Sequence, residues 1–390
     1  MEYTFTPQEL AFRSEVRAFL DGELPADWEG TGDFEEETGV AEAEALVASF
    51  QKKLAARKWL AMAWPTEYGG RDASIMQQVI YNEEMAYRRA PVNFSMGVAW
   101  VGPALMIYGT DEQKRRYLPP ITRAEEVWCT LYSEPGAGSD LAAMQTHATR
   151  DGDEYVINGQ KIWTTGAHRS DMGWLAARTD PDAPKHKGIS MFLLDMKTPG
   201  VSVRPLINMA NSHGFNEVFF DNVRIPAANL VGQENRGWYQ LAVSLDFERS
   251  SIAGSAGAQR TLNDLLAYGR EHRAAVSPSL RHRLAEMQIE IEVCRNLSYR
   301  VAGMQAKSMV PNYEASLVKI FSTEMSQRLA RTGIDMLGLF GQIERGSRQA
   351  RLKGRMERAY LQSVSATIAG GTSEVNRSVV ATRGLGLPRG

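Results

Sequence analysis

The first apolar positions of the chain repeat with the period of an α-helix. Leu10, Val16, Phe19 and Leu20 fall on one face when this segment is wound as a helix. The sequence TPQE at 6–9 places a proline after a threonine and a glutamate three residues after that threonine, which predicts an N-cap with a capping box. We therefore expect a helix that begins at the proline.

Helical patterns continue through most of the first 125 residues. They return at 41–59 and at 73–88. The sequence GTDEQKRRYLPPI at 109–121 predicts a short helix that ends at its two prolines, because proline removes a backbone donor and clashes with the preceding turn. The acidic, glycine-containing segment 29–39 predicts a surface loop.

The pattern changes to that of β-strands near residue 126. In DEYVINGQKIWTTG, two strand-like runs flank Asn158-Gly159, a pair that predicts a type I′ hairpin turn. Further short strands follow as GWLAART, GISMFLLDM, VSVRPL and EVFFDNVRIP, separated by Gly, Pro and Asp. This block therefore predicts a β-domain.

Helical periodicity returns after residue 235 in longer segments. The segments lie near 236–271, 279–309, 312–338 and 349–366. The order helical, β, helical predicts an α+β multidomain protein. We place an N-terminal helical domain at 1–125, a middle β-domain at 126–235 and a C-terminal helical domain at 236–390.

Composition and charge narrow the classes of function. The chain has 390 residues, 43% of them hydrophobic and 23% charged, which is typical of a globular protein with a large core. A net charge of −2 gives no support for nucleic acid or an anionic membrane as the main partner. No apolar run reaches the roughly 20 residues of a membrane span, and the first residues lack a signal-peptide pattern. We therefore expect a cytoplasmic protein without integral membrane segments.

The cysteines and histidines give no indication of a metal or a disulfide. Cys129 and Cys294 are far apart in the sequence and show no metal-ligand spacing. The six histidines form no HExxH or similar pair. We expect no bound metal.

The densest motif is YSEPGAGSDLAAM at 132–144. Pro135, Gly136 and Gly138 predict a tight loop whose backbone N–H groups face one concave side, an arrangement that suits an anionic or polar ligand. A purely structural turn is an equal alternative for this motif alone. No Gly-Lys-Ser/Thr follows, so the loop is not a nucleoside triphosphate-binding P-loop.

Two further stretches each allow two interpretations. In NGQKIWTTG at 158–166, Trp163 is either a core residue or part of a cofactor wall. In SATIAGGTSEVNR at 365–377, a helical pattern stops at Gly370-Gly371. Adjacent glycines either end the helix in a turn or let a large flat ligand lie against the backbone.

The three motifs in this order and spacing resemble those of the acyl-CoA dehydrogenase flavoprotein family, and the resemblance covers essentially the whole chain. It implies that the middle domain is β-barrel-like and that the C-terminal domain is a four-helix bundle. It also implies FAD-dependent α,β-dehydrogenation of an acyl-CoA to the trans-2-enoyl-CoA. An electron-transfer flavoprotein is then the expected electron acceptor, and a tetramer the expected assembly.

The resemblance also implies which residues contact FAD. The segment from Thr130 to Ser133 lies along the isoalloxazine, with the Ser133 hydroxyl near the pyrimidine ring. Trp163 packs on the dimethylbenzene side, and the Thr165 hydroxyl approaches N5. The full set of implied cofactor residues is Thr130, Leu131, Ser133, Gly138, Ser139, Trp163, Thr165, Thr372 and Glu374; Ser139 contacts either the FAD pyrophosphate or the bound CoA thioester chain.

The expected catalytic base is in a less common position. Many members of the family carry a glutamate directly before the C-terminal Gly-Thr, where this chain has Gly370. A subset, including isovaleryl- and long-chain-type enzymes, carries the base on a C-terminal helix, and the matching segment SLDFERSSIAG at 244–254 offers Glu248. Apolar neighbours would raise the pKa of this carboxyl toward the working range; a solvated Glu–Arg surface pair is the alternative.

The resemblance assigns supporting roles to the groups around this base. Asp246 and Arg249 would bind substrate or brace Glu248, and the Gly370 N–H would donate to the thioester carbonyl and stabilise the enolate. Because Gly370 leaves room beside the reacting carbons, we expect a branched or bulky acyl group, such as a steroid side chain or a cyclic acid.

Two motifs that reach a neighbouring subunit's FAD in family homotetramers are altered. Segment 269–287 lacks an Arg-x-x-Phe-Gly sequence, and DMLGLFG at 335–341 has Asp335 and Leu339 where the family has Gln and Gly. A carboxylate near a pyrophosphate is unfavourable. We therefore expect an α2β2 assembly with a related chain; a homotetramer that uses Arg270 or Arg273 is the alternative. The competing functions are a same-fold flavin oxidase or monooxygenase and a non-catalytic subunit.

Overall fold

The computed structural model describes residues 4–92, 95–244, 252–273 and 276–388. The chain divides into two compact units. The helical unit comprises 1–50, 73–92 and 249–390, and the sheet unit comprises 51–72 and 93–248. The predicted α+β class and the helical, β, helical order are confirmed, whereas the boundaries at 125/126 and 235/236 stay predictions.

The helical unit draws helices from both ends of the chain. Its helices are α1 (Pro7–Glu23), α2 (Thr31–Thr38), the first part of α3 (Val40–Ala56), α4 (Ile75–Tyr87), α8 (Ile252–Glu271), α9 (Pro278–Gln305), α10 (Tyr313–Leu337), α11 (Arg355–Ala366) and α12 (Ser373–Val379). Helices α8 to α11 form the predicted bundle around Leu262, Ile291 and Met325, each fully buried. A second cluster joins Val79 of α4 to Ile252, Tyr299 and Ala302.

The predicted start of α1 is confirmed in atomic detail. The Thr6 hydroxyl accepts from the Glu9 backbone N–H at 3.2 Å, and the Glu9 carboxylate accepts from the Thr6 N–H at 2.7 Å. Such a reciprocal cap satisfies two backbone donors that a helix start otherwise leaves unpaired.

The sheet unit surrounds one eight-stranded sheet. Its strands are β1 (Trp128–Leu131), β2 (His147–Asp151), β3 (Glu154–Lys161), β4 (Met172–Arg178), β5 (Ile189–Asp195), β6 (Val201–Leu206), β7 (Phe215–Pro226) and β8 (Leu230–Val231). The order is β6-β7-β3-β2-β4-β5-β8, and β1 pairs in parallel with β4. Helices α5 (Gly102–Tyr108), α6 (Asp111–Thr122) and α7 (Gly237–Ser244) also belong to this unit.

The central strands are buried on both faces. Trp174 and Met191 pack into one apolar cluster of the sheet unit, while their neighbours Leu175 and Phe192 pack into the other. This explains why GWLAART and GISMFLLDM read as nearly continuous apolar runs rather than as alternating strands.

The expected loop at 29–39 is wrong, because α2 occupies Thr31–Thr38. Asp33 is only 4% exposed, and its carboxylate accepts from Arg355 at 2.7 Å. Trp28 and Phe34 also pack together, with ring centroids 5.8 Å apart. The acidic stretch thus forms a helix through partners far away in the sequence.

The expected hairpin turn at Asn158-Gly159 is also wrong. Both residues lie inside β3, and β2 turns into β3 at Gly152, whose φ is +62°. Gly159 has φ +143° at an irregularity in the pairing of β3 with β7. A Cβ there would lie 2.6 Å from the Thr146 hydroxyl, so glycine is required for close approach rather than for a turn.

The two prolines at 119 and 120 do not end α6. They lie inside its last turn, and the helix continues to Thr122. The backbone N–H of Arg123 reaches the Pro119 carbonyl at 3.1 Å and closes that turn. In the described part of the chain, no helix is long and apolar enough to cross a membrane.

Candidate functional site

The EPGAGSD motif forms the tight loop that its sequence predicts. Glu134 and Ala137 exchange two backbone hydrogen bonds, each of 3.0 Å, around Pro135-Gly136. Beyond this turn, the backbone N–H groups of Gly138 and Ser139 have no acceptor within the described ranges. The loop therefore presents free donors to solvent, as a site for an anionic or polar group would.

A buried ion pair lies beneath this loop, and the sequence reasoning did not identify it. The Lys161 ammonium is fully buried and donates to the Glu134 carboxylate at 2.8 Å. The same carboxylate accepts from the backbone N–H groups of Gln145 at 2.6 Å and Thr146 at 2.9 Å. Glu134 lies in EPGAGSD and Lys161 in NGQKIWTTG. The available sequence signal was therefore one acidic and one basic residue, each inside a motif already quoted.

Each partner of the pair favours the charged form of the other. Burial lowers the pKa of Lys161 to about 8, and the charge and hydrogen bond of Glu134 oppose that effect. Burial also acts to raise the pKa of Glu134, but the Lys161 charge and the hydrogen bonds outweigh it and hold that pKa below its usual range.

The ion pair joins the two segments that the resemblance assigns to the flavin. Lys161 also donates to the Tyr132 carbonyl at 3.0 Å, and the Ile162 N–H donates to the Ser133 carbonyl at 2.9 Å. The chain leaving β1 is thereby held against the end of β3. Thr130 is half-buried, whereas Leu131 is fully buried inside the sheet and exposes no surface.

Trp163 is exposed, which excludes the core-packing alternative. Its side chain is 56% exposed, and its φ of +60° is unusual for a bulky residue. It meets the edge of Phe215, with ring centroids 6.1 Å apart. A large aromatic residue held in a strained conformation at the surface is typical of a ligand contact.

The loop after Trp163 is fixed by the start of β7. The Thr164 N–H donates to the Asn216 carbonyl, and the Gly166 N–H to that of Gly214, each at 3.0 Å. Asn216 is fully buried and also contacts the stacked rings of His168 and His213. Thr165 itself is exposed, so its side chain is accessible.

The C-terminal motif forms a turn between α11 and α12. Gly370 has φ +65° and Gly371 has φ +90°, so both require a conformation that favours glycine. The Gly371 carbonyl accepts from the Lys319 ammonium at 2.5 Å and from the Asn376 amide at 2.9 Å. Thr372 caps α12 by accepting from the Val375 N–H at 3.2 Å.

This turn also leaves backbone donors free. Within the described chain, the N–H groups of Gly370, Gly371 and Thr372 have no acceptor. A Cβ added at Gly370 would meet nothing within 4 Å. Glu374 is exposed, and hydrogen bonds from its own backbone N–H and from Thr372 hold its pKa below the usual range.

The remaining predicted site residues divide into two groups. Asp246, Glu248 and Arg249 lie outside the described residues. In the altered partner-facing motif, Asp335 pairs with Arg283 at 2.7 Å, and Leu339 is 82% exposed.

Comparisons with known proteins point to one family along the whole chain. Models of the acyl-CoA dehydrogenase N-terminal, middle and C-terminal domains match residues 6–125, 129–223 and 235–385. The acyl-CoA dehydrogenase FadE26 of Mycobacterium tuberculosis is 35% identical, over 100% of this chain and 99% of that protein. The acyl-CoA dehydrogenase IpdE1 of the same organism is 35% identical, over 97% of each chain.

Solved structures show the same extent of similarity. The Tcur3481-Tcur3483 steroid ACAD is 36% identical, with a TM-score of 0.89 over 100% of both chains. The ChsE4-ChsE5 complex from Mycobacterium tuberculosis is 34% identical, with a TM-score of 0.89 over 100% of both chains. This chain belongs to the acyl-CoA dehydrogenase family, whose members are generally FAD-dependent flavoproteins.

Proposed function

We propose that the chain oxidises an acyl-CoA between its α and β carbons, giving the trans-2-enoyl-CoA, with FAD as cofactor and an electron-transfer flavoprotein as electron acceptor. The observation that carries the proposal is Trp163, an exposed aromatic side chain held at positive φ, at the position where the resemblance implies a contact with the flavin. A non-catalytic subunit would have no use for this strain.

The residues present fit a flavin. Trp163 offers an exposed ring, Thr165 an exposed hydroxyl, and Gly138 and Ser139 free backbone donors for a phosphate or carbonyl oxygen. Thr372 and Glu374 would bind the ribityl and phosphate region, and Ser133 the pyrimidine ring. When bound, FAD would supply the acceptor for the hydride that leaves the β-carbon.

Residues of the chain would remove the α-proton and stabilise the charge that develops. Glu248 would remove the α-proton as general base, with Asp246 and Arg249 binding the substrate or bracing this carboxylate. The Gly370 N–H would donate to the thioester carbonyl, where negative charge develops as the proton leaves. Glu248 would thus hold the α-proton after it leaves the substrate.

The acyl group is proposed to be branched or bulky. Among the described residues, an added Cβ at Gly370 meets nothing within 4 Å, at the position where many relatives carry a glutamate side chain. One related structure is described as a steroid ACAD, in line with a steroid side chain or a cyclic acid.

The assembly is proposed to be α2β2 with a related chain. Leu339 is 82% exposed beside Asp335, whose carboxylate is paired with Arg283, so this surface offers neither the amide nor the open glycine backbone of the family motif. Two structurally similar proteins are described under paired names, Tcur3481-Tcur3483 and ChsE4-ChsE5.

The first test measures the FAD content of the chain expressed alone and of the chain expressed together with the related chain proposed as its partner. We expect low FAD content alone and full content in the heteromer; a yellow homotetramer with one FAD per chain would refute the heteromer. Anaerobic mixing of the loaded enzyme with acyl-CoA should bleach the flavin faster with a polycyclic than with a linear medium-chain substrate. The reverse order would refute the bulky-substrate assignment.

The base is tested in the same experiment. Glu248→Gln should slow bleaching by about 10²- to 10⁴-fold, since a general base contributes that much, with FAD content unchanged. Glu286→Gln, an exposed carboxylate on α9, is the matched control and should bleach at the wild-type rate. Unchanged bleaching in Glu248→Gln would assign the base elsewhere.

A further inference from the structure

The turn at Gly370-Gly371 depends on a lysine from a different helix. Lys319 lies on α10, 52 residues before Gly371, and its ammonium donates to the Gly371 carbonyl at 2.5 Å. The Asn376 amide donates to the same oxygen at 2.9 Å. A hydrogen bond from a charged donor is about twice as strong as a neutral one, so the lysine is the stronger of the two.

The turn is anchored on both sides of its glycines. On the N-terminal side, the Ala369 N–H donates to the Ser365 carbonyl at 2.9 Å. On the C-terminal side, the Ser373 N–H donates to the Thr367 carbonyl at 3.0 Å, and Thr372 begins α12. Between these anchors, the side chains of Lys319 and Asn376 hold the Gly371 carbonyl, and the Asn376 amide also reaches the Thr372 carbonyl at 3.0 Å.

The glycines themselves cannot fix this conformation. Gly370 and Gly371 stand at φ +65° and +90°, but glycine enters other regions of φ about as readily. The backbone N–H of Gly370 has no acceptor within the described chain to hold it. The Gly371 carbonyl, which Lys319 ties to α10, therefore limits how far the turn and its Gly370 N–H can reorient.

Burial holds the pKa of Lys319 below its ordinary value, and the charges of Glu324 and Glu374 oppose this effect only in part. Glu324 is also paired with Arg377 at 2.7 Å, which places a further cation on α12 near the turn. A lysine that is partly buried and tied to a backbone carbonyl, rather than bound directly to a carboxylate, indicates a positional role.

We propose that Lys319 is a positioning residue that holds the Gly370-Gly371 turn in the orientation in which the Gly370 N–H donates to the thioester carbonyl. This inference rests on the proposed function. Lys319 itself touches neither substrate nor cofactor in this assignment, and acts through the backbone of the turn. Because a donor displaced by about 1 Å can lower a rate by about 10²-fold, a loosened turn should reduce turnover more than binding.

The first measurement is amide hydrogen exchange in the full-length protein, followed on peptides that cover 366–376. Lys319→Met should speed exchange there by about tenfold, corresponding to the loss of roughly one hydrogen bond, while peptides of α9 stay unchanged. Lys319→Arg, which keeps a charged donor, should restore most of the protection. Arg328→Met is the matched control, since Arg328 lies on the same helix and its guanidinium pairs with Glu290 rather than with the turn.

The second measurement is steady-state kinetics of the FAD-loaded assembly. Lys319→Met should lower kcat by about 10- to 100-fold and leave KM within about threefold of wild type, and Lys319→Arg should recover kcat. Faster exchange with unchanged kcat would overturn the positioning role, as would unchanged exchange. A wild-type protein that oxidises no acyl-CoA would refute the proposed function instead; the exchange comparison needs no substrate and still decides whether Lys319 holds the turn.

Discussion

Two segments of the molecule present free backbone donors, and they are built in different ways. The loop at Glu134–Ser139 rests on a buried ion pair inside the sheet unit. The turn at Gly370-Gly371 rests on positive φ angles and on one half-buried ammonium that reaches a carbonyl.

This difference predicts which substitutions should disturb each segment. In the loop, Gly136 and Gly138 have no positive φ, and a Cβ on either would meet nothing within 4 Å, so its shape depends on charge rather than on glycine. In the turn, both glycines have left-handed backbone, so its shape depends on residues that tolerate a positive φ. Removing a charge of the buried pair should therefore damage the loop, whereas alanine in place of a glycine should damage the turn and not the loop.

The largest effect is expected from removing the lysine of the buried pair. Lys161→Met leaves the Glu134 carboxylate buried without its cation, which should lower the free energy of unfolding by about 3–5 kcal/mol. Denaturant unfolding measures this. Lys185→Met is the matched control: its pair with Asp140 is about half exposed on both sides, so its loss should change stability by about 1 kcal/mol or less. Equal losses in the two variants would remove the distinction between buried and exposed pairs.

A smaller effect is expected in the turn. Gly371→Ala requires alanine at φ +90° and places a Cβ 3.0 Å from the Asn376 amide, which should lower stability by about 1–2 kcal/mol. Gly138→Ala in the loop is the control and should be nearly neutral, because its backbone is not left-handed and its surroundings are open. Thermal unfolding of the two variants compares the segments directly; a costlier Gly138→Ala would reverse the comparison.

The smallest effect concerns acid. The pKa of Glu134 is lower in the folded protein than its ordinary value, so its ionisation stabilises the fold above the unfolded-state pKa, and this contribution disappears as pH falls through the folded-state value. The stability difference between wild type and Glu134→Gln should thus shrink as the pH falls below about 4. Urea unfolding across this range measures it. A difference that grows on acidification would show that Glu134 is protonated in the folded protein.

The sequence predicted what depends on neighbouring residues. The capping box at Thr6 and Glu9 joins groups three positions apart, and it is present as expected. Likewise, the stop at Gly370-Gly371 is a local property of adjacent glycines, and both have the positive φ that such a pair permits.

The failures involve distant partners. Segment 29–39 became α2 because Asp33 meets Arg355, 322 residues further on. Gly159 lies inside a strand, where it allows the backbone to approach Thr146 closely, and does not form a turn. In the site, the motifs contained Glu134 and Lys161, but nothing local shows that these residues, 27 positions apart, form a pair, and the contact of Lys319 with Gly371 spans 52.

Because Trp163 is exposed, its intrinsic fluorescence can report on binding at this site. Trp28, Trp59, Trp64, Trp128 and Trp174 are buried, and Trp100 and Trp238 are partly covered, whereas Trp163 is 56% exposed. Its emission should lie at the red edge of the intrinsic fluorescence and respond first when a ring stacks against it. Loading of the apoprotein with cofactor can therefore be followed in real time without a label, and Trp163→Phe identifies the part of the signal that belongs to this indole.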